Sequence, residues 1–412
     1  MARMSDDGRV AITGMGIISC LGTTLDEVSQ ALQQGQSGIV VDDERKERGF
    51  RSALTGKRPT LDYRAYGLGR KQLKSMDDPA RFAYVAAHHA LEDAGWSHDE
   101  LASHHAGIVF GNDSCVRASV EGIRRMEERG DTKHIGSGAI FQAMNSTVTM
   151  NLSTLFGLTG ANWSLSAACA SGAHAIGQGF MLIRSGLQKV MLCGGAQEIT
   201  WQGMAAFDAI NAFSTNHAHP TQASRPFDRY RDGLVPSGGA ACLILEDMAF
   251  ARSRGARIYG EIAGYGFSSD GHHLSKSQPL GGQRAIQQAL HTAQCLPEDI
   301  HYINAHATST QHGDANEASA IGKVFSTCPP LSSTKSMTGH ECWMAGASEI
   351  IYSCLMARDH FLAPNINFIE PDEHTQHLDI VTQTREAKIQ TFLSNSFGFG
   401  GTNAALIVKS LL

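Results

Sequence analysis

Apolar residues along this chain alternate between short continuous runs and helical stripes. β-Branched and aliphatic runs at residues 9–15 (RVAITGM), 106–110 (AGIVF), 187–194 (LQKVMLCG) and 240–245 (AACLIL) predict buried strands, since a strand covered on both faces reads as unbroken apolar sequence. Between them, Leu25, Val28, Ala31 and Leu32 fall at helical spacing within residues 24–34, and Gly35 closes the segment. A stronger helix opens at Asp78-Pro79 and runs to Ala94, with Asp78 at the cap, proline at the first position and Gly95 past its end. Residues 42–66 are charged and turn-rich and read as an irregular surface excursion. Strands alternating with helices make the class α/β.

The second half restarts the pattern. Strand-like runs at 256–266, 300–304 and 403–408 alternate with helical segments at 282–293, 316–324 and 347–358; Ile286, Ala289, Leu290 and Ala293 form one stripe. A strand–turn–helix unit around Cys169 has a counterpart at 331–346. Two similar halves are expected, residues 1–255 and 256–412, which suits a chain of 412 residues.

Composition narrows the function classes. The net charge is −6, which argues against a nucleic-acid-binding surface. Nine cysteines without a C-x-x-C pair point to free thiols in a reducing compartment and against zinc. Residues 1–7 hold no apolar leader, and no apolar stretch approaches the length of a membrane span, so a cytoplasmic protein is expected.

Chemistry concentrates at four places. Cys169 lies in SAACASG, after a β-like run and before a Gly/Ala-rich helical run. A thiol at such a turn faces the first free N–H groups of the helix, whose dipole favours the thiolate; the alternative is an inert core cysteine. His306 follows a strand in NAHATST, and His340 sits on a glycine-flanked turn in KSMTGH, with Lys335 five residues before it. Asp314 and Glu317 read either as a capping-box-like helix start or, for Glu317, as a partner of Lys335 that fixes a histidine's proton state. Finally, residues 394–403 (SNSFGFGGTN) read as a glycine-rich loop whose N–H groups could face an oxyanion or simply turn the chain. Gly14-Met15-Gly16 after the first strand is an incomplete dinucleotide fingerprint, with Ser19 at its last position.

Together, SAACASGAHAIG, NAHATST, KSMTGH and NSFGFGGTN, in that order and spread over essentially the whole chain, resemble the β-ketoacyl-acyl-carrier-protein synthases of the elongating type, within the thiolase-like superfamily. The resemblance implies a five-layered αβαβα fold of two pseudo-equivalent halves, a homodimer, and decarboxylative Claisen condensation without a cofactor or metal. It implies that Cys169 holds the acyl chain as a thioester and that the N–H groups of Cys169 and Phe399 form the oxyanion hole, with Phe397 and Gly400 in the same loop. His306 and His340 would stabilise the enolate left by CO₂, Lys335 and Glu317 would orient them, Thr308 and Thr310 would contact phosphopantetheine, and Phe399 would gate the acyl pocket. The partner implied is an acidic acyl-carrier protein, docking on Arg70, Lys71 and Lys74, and on Arg129 and Lys133.

Two features depart from the family pattern. Glu341-Cys342-Trp343-Met344 replaces small residues after His340, and Ala307 replaces the usual glycine after His306. A ketosynthase of a specialised lipid or pigment pathway, working with a chain-length factor, is the alternative. A thiolase would need a second cysteine near the C-terminus, and none follows Cys354; a chain-length factor itself would lack Cys169.

Overall fold

The apolar runs become ten strands of one mixed sheet in a computed structural model that describes residues 8–412, the side chain of His98 excepted. The reading of residues 1–7 as lacking a leader lies outside the described residues. The strands are β1 (Val10–Ile18), β2 (Gly107–Gly111), β3 (Asn162–Leu165), β4 (Val190–Gln197), β5 (Gly239–Asp247), β6 (Gly260–Ser269), β7 (Tyr302–Asn304), β8 (Leu331–Ser332), β9 (Thr391–Gly398) and β10 (Thr402–Ser410). Across the sheet they lie in the order β8-β7-β9-β10-β6-β1-β5-β4-β2-β3. Outward from the centre, one half runs β1, β5, β4, β2, β3 and the other β6, β10, β9, β7, β8. Each half has two antiparallel joins and then two parallel ones. The halves meet where β1 pairs antiparallel with β6, from Val10 opposite Ile262 to Ile12 opposite Gly260.

Six helices complete the layers: α1 (Asp78–Ala94), α2 (Thr147–Phe156), α3 (Ser171–Arg184), α4 (Pro279–Ala293), α5 (Gln311–Val324) and α6 (Ala345–Arg358). Three apolar clusters show how they stack. Phe82 and Leu91 of α1 and Leu152 of α2 pack on Ile108 and Phe110 of β2. Val109, between those two, points the other way into a central cluster with Ile176 and Phe180 of α3 and Ile350 and Leu355 of α6. Ile286 of α4 and Ile321 of α5 close the far side against Ile303, Leu393 and Ile407. Both faces of each half-sheet are therefore covered, which is why the strand sequences are continuously apolar. The layers run αβαβα, with α3 and α6 sandwiched between the half-sheets.

Repetition reaches individual residues. A Cβ on Gly14 or Gly16 of β1 would lie 2.2 Å from the Ala90 carbonyl oxygen or 2.0 Å from that of Ala86, on α1. On Gly264 or Gly266 of β6 it would lie 2.3 Å from the Ala289 oxygen or 2.0 Å from that of Ala285, on α4. The Gly14–Gly16 pair is thus a seat for a closely packed helix, and the same seat recurs in the second half; the dinucleotide reading falls.

Other expectations need correction. Residues 42–66 are not a mere surface excursion. Short strands Ile39–Val41 and Leu54–Gly56 pair across them, and the side chain of Arg45 is fully buried, donating to the Leu54 carbonyl at 3.2 Å. The helices Val116–Arg129 and α2 were not foreseen. The supposed glycine-rich loop is the end of strand β9 and the start of β10; only Phe399–Gly401 between them turns the chain.

Candidate active site

Cys169 lies in a single 3₁₀ turn, Ala168–Ala170, between β3 and α3. Ala168 takes a left-handed φ of 47°, a strained conformation for a residue with a Cβ. Three polar contacts hold it there: the Ala168 N–H donates to Asp113 (3.0 Å), the Ser171 hydroxyl donates to the Ala168 carbonyl (2.7 Å), and the Ala167 N–H donates to the Ser171 hydroxyl (2.8 Å). The helix N-terminus does not by itself create a thiolate. Burial dominates and pushes the Cys169 thiol up to about 12, while the Lys335 ammonium and the N–H groups of Phe399 and Cys169 pull it back.

Both histidines arrive from the second half. The Sγ of Cys169 and one ring nitrogen each from His306 and His340 lie within 4.8 Å of one another. The imidazoles meet edge to face, centroids 5.3 Å apart at 87°. Burial first, then the Lys335 ammonium, drives both well below the usual histidine range, so both are neutral at neutral pH. His306 Nδ1 and both ring nitrogens of His340 have no hydrogen-bond partner among the described residues, which leaves them free for a ligand.

Backbone contacts fix the two rings. Glu317 of α5 accepts from the N–H groups of His306 (2.9 Å) and Ala307 (2.7 Å), and from the Asn395 amide of β9 (3.0 Å). The His340 N–H donates to the Val235 carbonyl (2.7 Å), and its own carbonyl accepts from Ser237 (2.8 Å). The expected Lys335–Glu317 pair does not form. Lys335 is buried rather than solvated, and its ammonium donates instead to Glu349 of α6. Burial raises the Glu349 carboxyl and the Lys335 charge opposes the rise. Asp314 is not a helix cap either, because α5 begins at Gln311; it lies in the first turn and accepts from Phe227 (2.9 Å) and Thr308 (3.0 Å). Sequence reasoning missed Glu349 and Asn395. The signal for Glu349 was a lone carboxylate in AGASEIIYSCLMAR, a segment with no polar face.

The turn after β9 presses on the nucleophile. A Cβ on Gly398 would lie 2.9 Å from the Ala167 oxygen and 3.2 Å from the Cys169 nitrogen, and the Thr402 hydroxyl donates to the Ala167 carbonyl at 2.9 Å. Cys169, His306, His340, Phe397, Phe399, Thr308 and Thr310 all line one cavity of about 360 Å³. The threonine hydroxyls are 3.1 Å apart. Gly400 stands aside: its N–H donates to the Leu274 carbonyl at 2.7 Å, and it does not line the cavity.

Such a cavity, with one thiol and two neutral imidazoles on opposite halves of a duplicated fold, has close counterparts. Residues 7–251 match the β-ketoacyl synthase N-terminal domain, and residues 259–369 match its C-terminal domain. The chain belongs to the β-ketoacyl synthase family. It is 42% identical to 3-oxoacyl-(acyl-carrier-protein) synthase 1 of Haemophilus influenzae, over 97% of this chain and 98% of that one. A β-ketoacyl synthase from Burkholderia phymatum superposes with a TM-score of 0.93 at 35% identity, covering 98% of this chain and all of the other (100%). A type II polyketide ketosynthase, solved in complex with its acyl-carrier protein and bound to a hexaketide, superposes at 0.88 with 28% identity, covering 98% of this chain and 99% of that one.

In this β-ketoacyl synthase the candidate docking residues lie apart from the chemistry. Arg70, Lys71 and Lys74 are exposed on or beside the short helix Arg70–Leu73, and Arg129 and Lys133 are also exposed, the last 3.4 Å from Asp131. None of the five is among the residues that line the cavity. No helix among the described residues is long and apolar enough to cross a membrane.

Proposed function

We propose that Cys169 carries the acyl chain as a thioester and that His306 and His340 decarboxylate the malonyl group that extends it. The enzyme is an acyltransferase that condenses malonyl-(acyl-carrier-protein) with acyl chains in fatty-acid elongation. One observation supports the division of labour above all others: a thiol and two neutral imidazoles within 4.8 Å in one cavity.

In the first half-reaction the protonated thiol attacks an acyl thioester. Its proton passes to an adjacent neutral imidazole and from there to the departing pantetheine thiol, while the oxyanion accepts from the Cys169 and Phe399 N–H groups. Such a donor is worth about 10²–10³ in rate. In the second half-reaction Thr308 and Thr310 hold the pantetheine arm and the malonyl thioester oxygen accepts from both imidazoles. Loss of CO₂ leaves an enolate there. Its carbon attacks the acyl carbonyl, and collapse of the tetrahedral intermediate expels the Cys169 sulfur as a thiolate, which takes up a proton from water to restore the thiol. Neutral rings suit this step, because the N–H that each donates strengthens its bond only as charge develops on the oxygen. Glu317, Lys335 and Glu349 act as positioning residues.

The carrier protein docks on the basic residues around Arg70, Lys71 and Lys74, with Arg129 and Lys133 as lesser contacts. Strand β3 lies at the edge of the sheet with Trp163 43% exposed, which supports pairing with a second copy as a homodimer. Nine unpaired cysteines support a cytoplasmic setting. The chain divides into a nucleophile-bearing half, 1–255, and a histidine-bearing half, 256–412.

Mass spectrometry of the enzyme with acyl- and malonyl-carrier protein tests this. Cys169→Ala is expected to remain folded and to accept no acyl group; acyl transfer by that variant would overturn the assignment. His306→Ala and His340→Ala are each expected to lose decarboxylation about 10²–10³-fold, and unaltered CO₂ release would remove them from the mechanism.

A further inference from the structure

The turn that presents Cys169 occurs twice. In the first half, the 3₁₀ turn Ala168–Ala170 leads into the fourteen residues of α3; in the second, the 3₁₀ turn Cys342–Met344 leads into the fourteen residues of α6. The first residue of each turn has a left-handed φ, 47° at Ala168 and 46° at Cys342. The second residue is Cys169 in one copy and Trp343 in the other. The two helices lie against each other in the middle layer: a Cβ on Gly346 would fall 2.6 Å from the Cβ of Ala173.

Trp343 is held in place from several sides. It is 5% exposed and belongs to the same apolar cluster as Cys169, together with Met204, Phe213, Leu234 and Cys342. Its indole N–H donates to the Ser114 hydroxyl at 3.3 Å, and its ring is tilted at 47° on Phe207, centroids 6.0 Å apart. Its carbonyl oxygen would lie 2.6 Å from a Cβ on Gly195 and 3.0 Å from one on Gly172, so the backbone is seated against both and cannot retreat. Lys276, His312 and Asn316 line the cavity with Thr308 and Thr310, the side assigned above to the pantetheine arm, and the histidines are assigned to the malonyl group. Within the apolar cluster that holds Cys169, Phe213, Leu234 and Cys342 line the cavity and offer an acyl chain on the sulfur an apolar wall. Trp343 and Met204 fill the cluster behind that wall and do not line the cavity.

We propose that Trp343, packed behind the wall of Phe213, Leu234 and Cys342, blocks extension of the acyl pocket and limits this enzyme to short acyl chains. This rests on the reading of Cys169 as the acyl carrier. A chain too long by even one methylene must push that wall back against a buried indole whose backbone is fixed, and misfit of one methylene in an apolar pocket is worth about 10-fold or more in rate. Truncation of the indole opens apolar space on the order of the 150 Å³ that accommodates a benzene-sized group.

The experiment is acyl loading of Cys169, followed by intact mass spectrometry, with acyl-carrier protein charged from acetyl to palmitoyl. The wild type is expected to load acetyl and butyryl, and to load myristoyl and palmitoyl at least about tenfold more slowly. Trp343→Ala is expected to bring the long chains within about threefold of the short ones. Equal loading of palmitoyl and acetyl by the wild type overturns the proposal, as does an unchanged length profile in a folded Trp343→Ala. If Trp343→Ala does not fold, Trp343→Leu carries the same comparison with a smaller shift in the same direction. Absence of any acyl adduct on wild-type Cys169, at every length, would instead reject the acyl-carrier reading itself.

Discussion

Lys335 is hydrogen-bonded to Glu349, fourteen residues further along the chain, with both side chains shut away from water. Removing one partner leaves the other charge buried without compensation. Lys335→Ala and Glu349→Ala are each expected to lose about 3–5 kcal/mol of stability, and the apolar pair Lys335→Met/Glu349→Leu to lose much less than the sum. Urea unfolding of the four proteins checks it; additive losses would mean that the two groups act separately.

Acid should impair this enzyme later than an ordinary histidine would suggest. Burial and the Lys335 ammonium depress the pKa values of His306 and His340 in the folded chain. The rings therefore stay neutral as pH falls below about 6.5, the unperturbed value. Malonyl decarboxylation is expected to hold level through about pH 6.5 and to decline only well below it. A decline centred near that value would show that the rings titrate as exposed imidazoles. For stability the direction is fixed. The contribution of the two rings is intact above the unfolded value of about 6.5 and is lost as pH falls from there toward their folded values, because only the unfolded state takes up the protons.

Glu341 titrates in the opposite sense. Burial raises it to about 7, although Ser348 and Tyr352 donate to it, the latter at 2.9 Å. A carboxyl raised on folding contributes stability that is complete below its unfolded pKa and is lost as pH rises through the folded value. Glu341→Gln cannot ionise. It should gain on the wild type by on the order of 1–3 kcal/mol between about pH 5 and about pH 8. Denaturation midpoints at the two pH values decide it, and a constant difference would place the ionised carboxylate comfortably in the fold.

The duplicated glycine seats offer a test of equivalence between the halves. Gly16→Ala and Gly266→Ala each thrust a methyl to within 2.0 Å of a helix carbonyl, that of Ala86 or Ala285. Both are expected to destabilise by about 1–3 kcal/mol or more, by similar amounts. A severe loss at Gly16 beside a neutral change at Gly266 would show that the second seat is looser than its geometry.

Local chemistry was readable in the sequence wherever local chemistry decides the outcome. The helix Asp78–Ala94 ends where its residues announce, because Gly95 accepts the left-handed φ of 71°, but it starts one residue earlier than read: Asp77, not Asp78, is the cap, and Pro79 is the second helical residue. Cys169, His306 and His340 were readable as candidates because each follows or precedes an element end. What was not readable depends on distant pairing. Strand β9 is written in serine, asparagine and glycine, and looks like a loop until Asn395 is seen bonding Glu317 across the site. The Lys335 partner was misjudged because Glu317 lies near in the motif pattern, while Glu349 comes close only when α6 is laid through the middle layer. Trp343 could be marked as a departure from the family pattern, but its correspondence with Cys169 needed the backbone of both turns.

That correspondence bears on how such an enzyme can change over generations. The chain carries two copies of one turn, and the reaction constrains the side chain of only the copy that holds the sulfur. The second copy is free to vary in bulk at position 343, so descendants of this protein can alter what they accept without touching how they react.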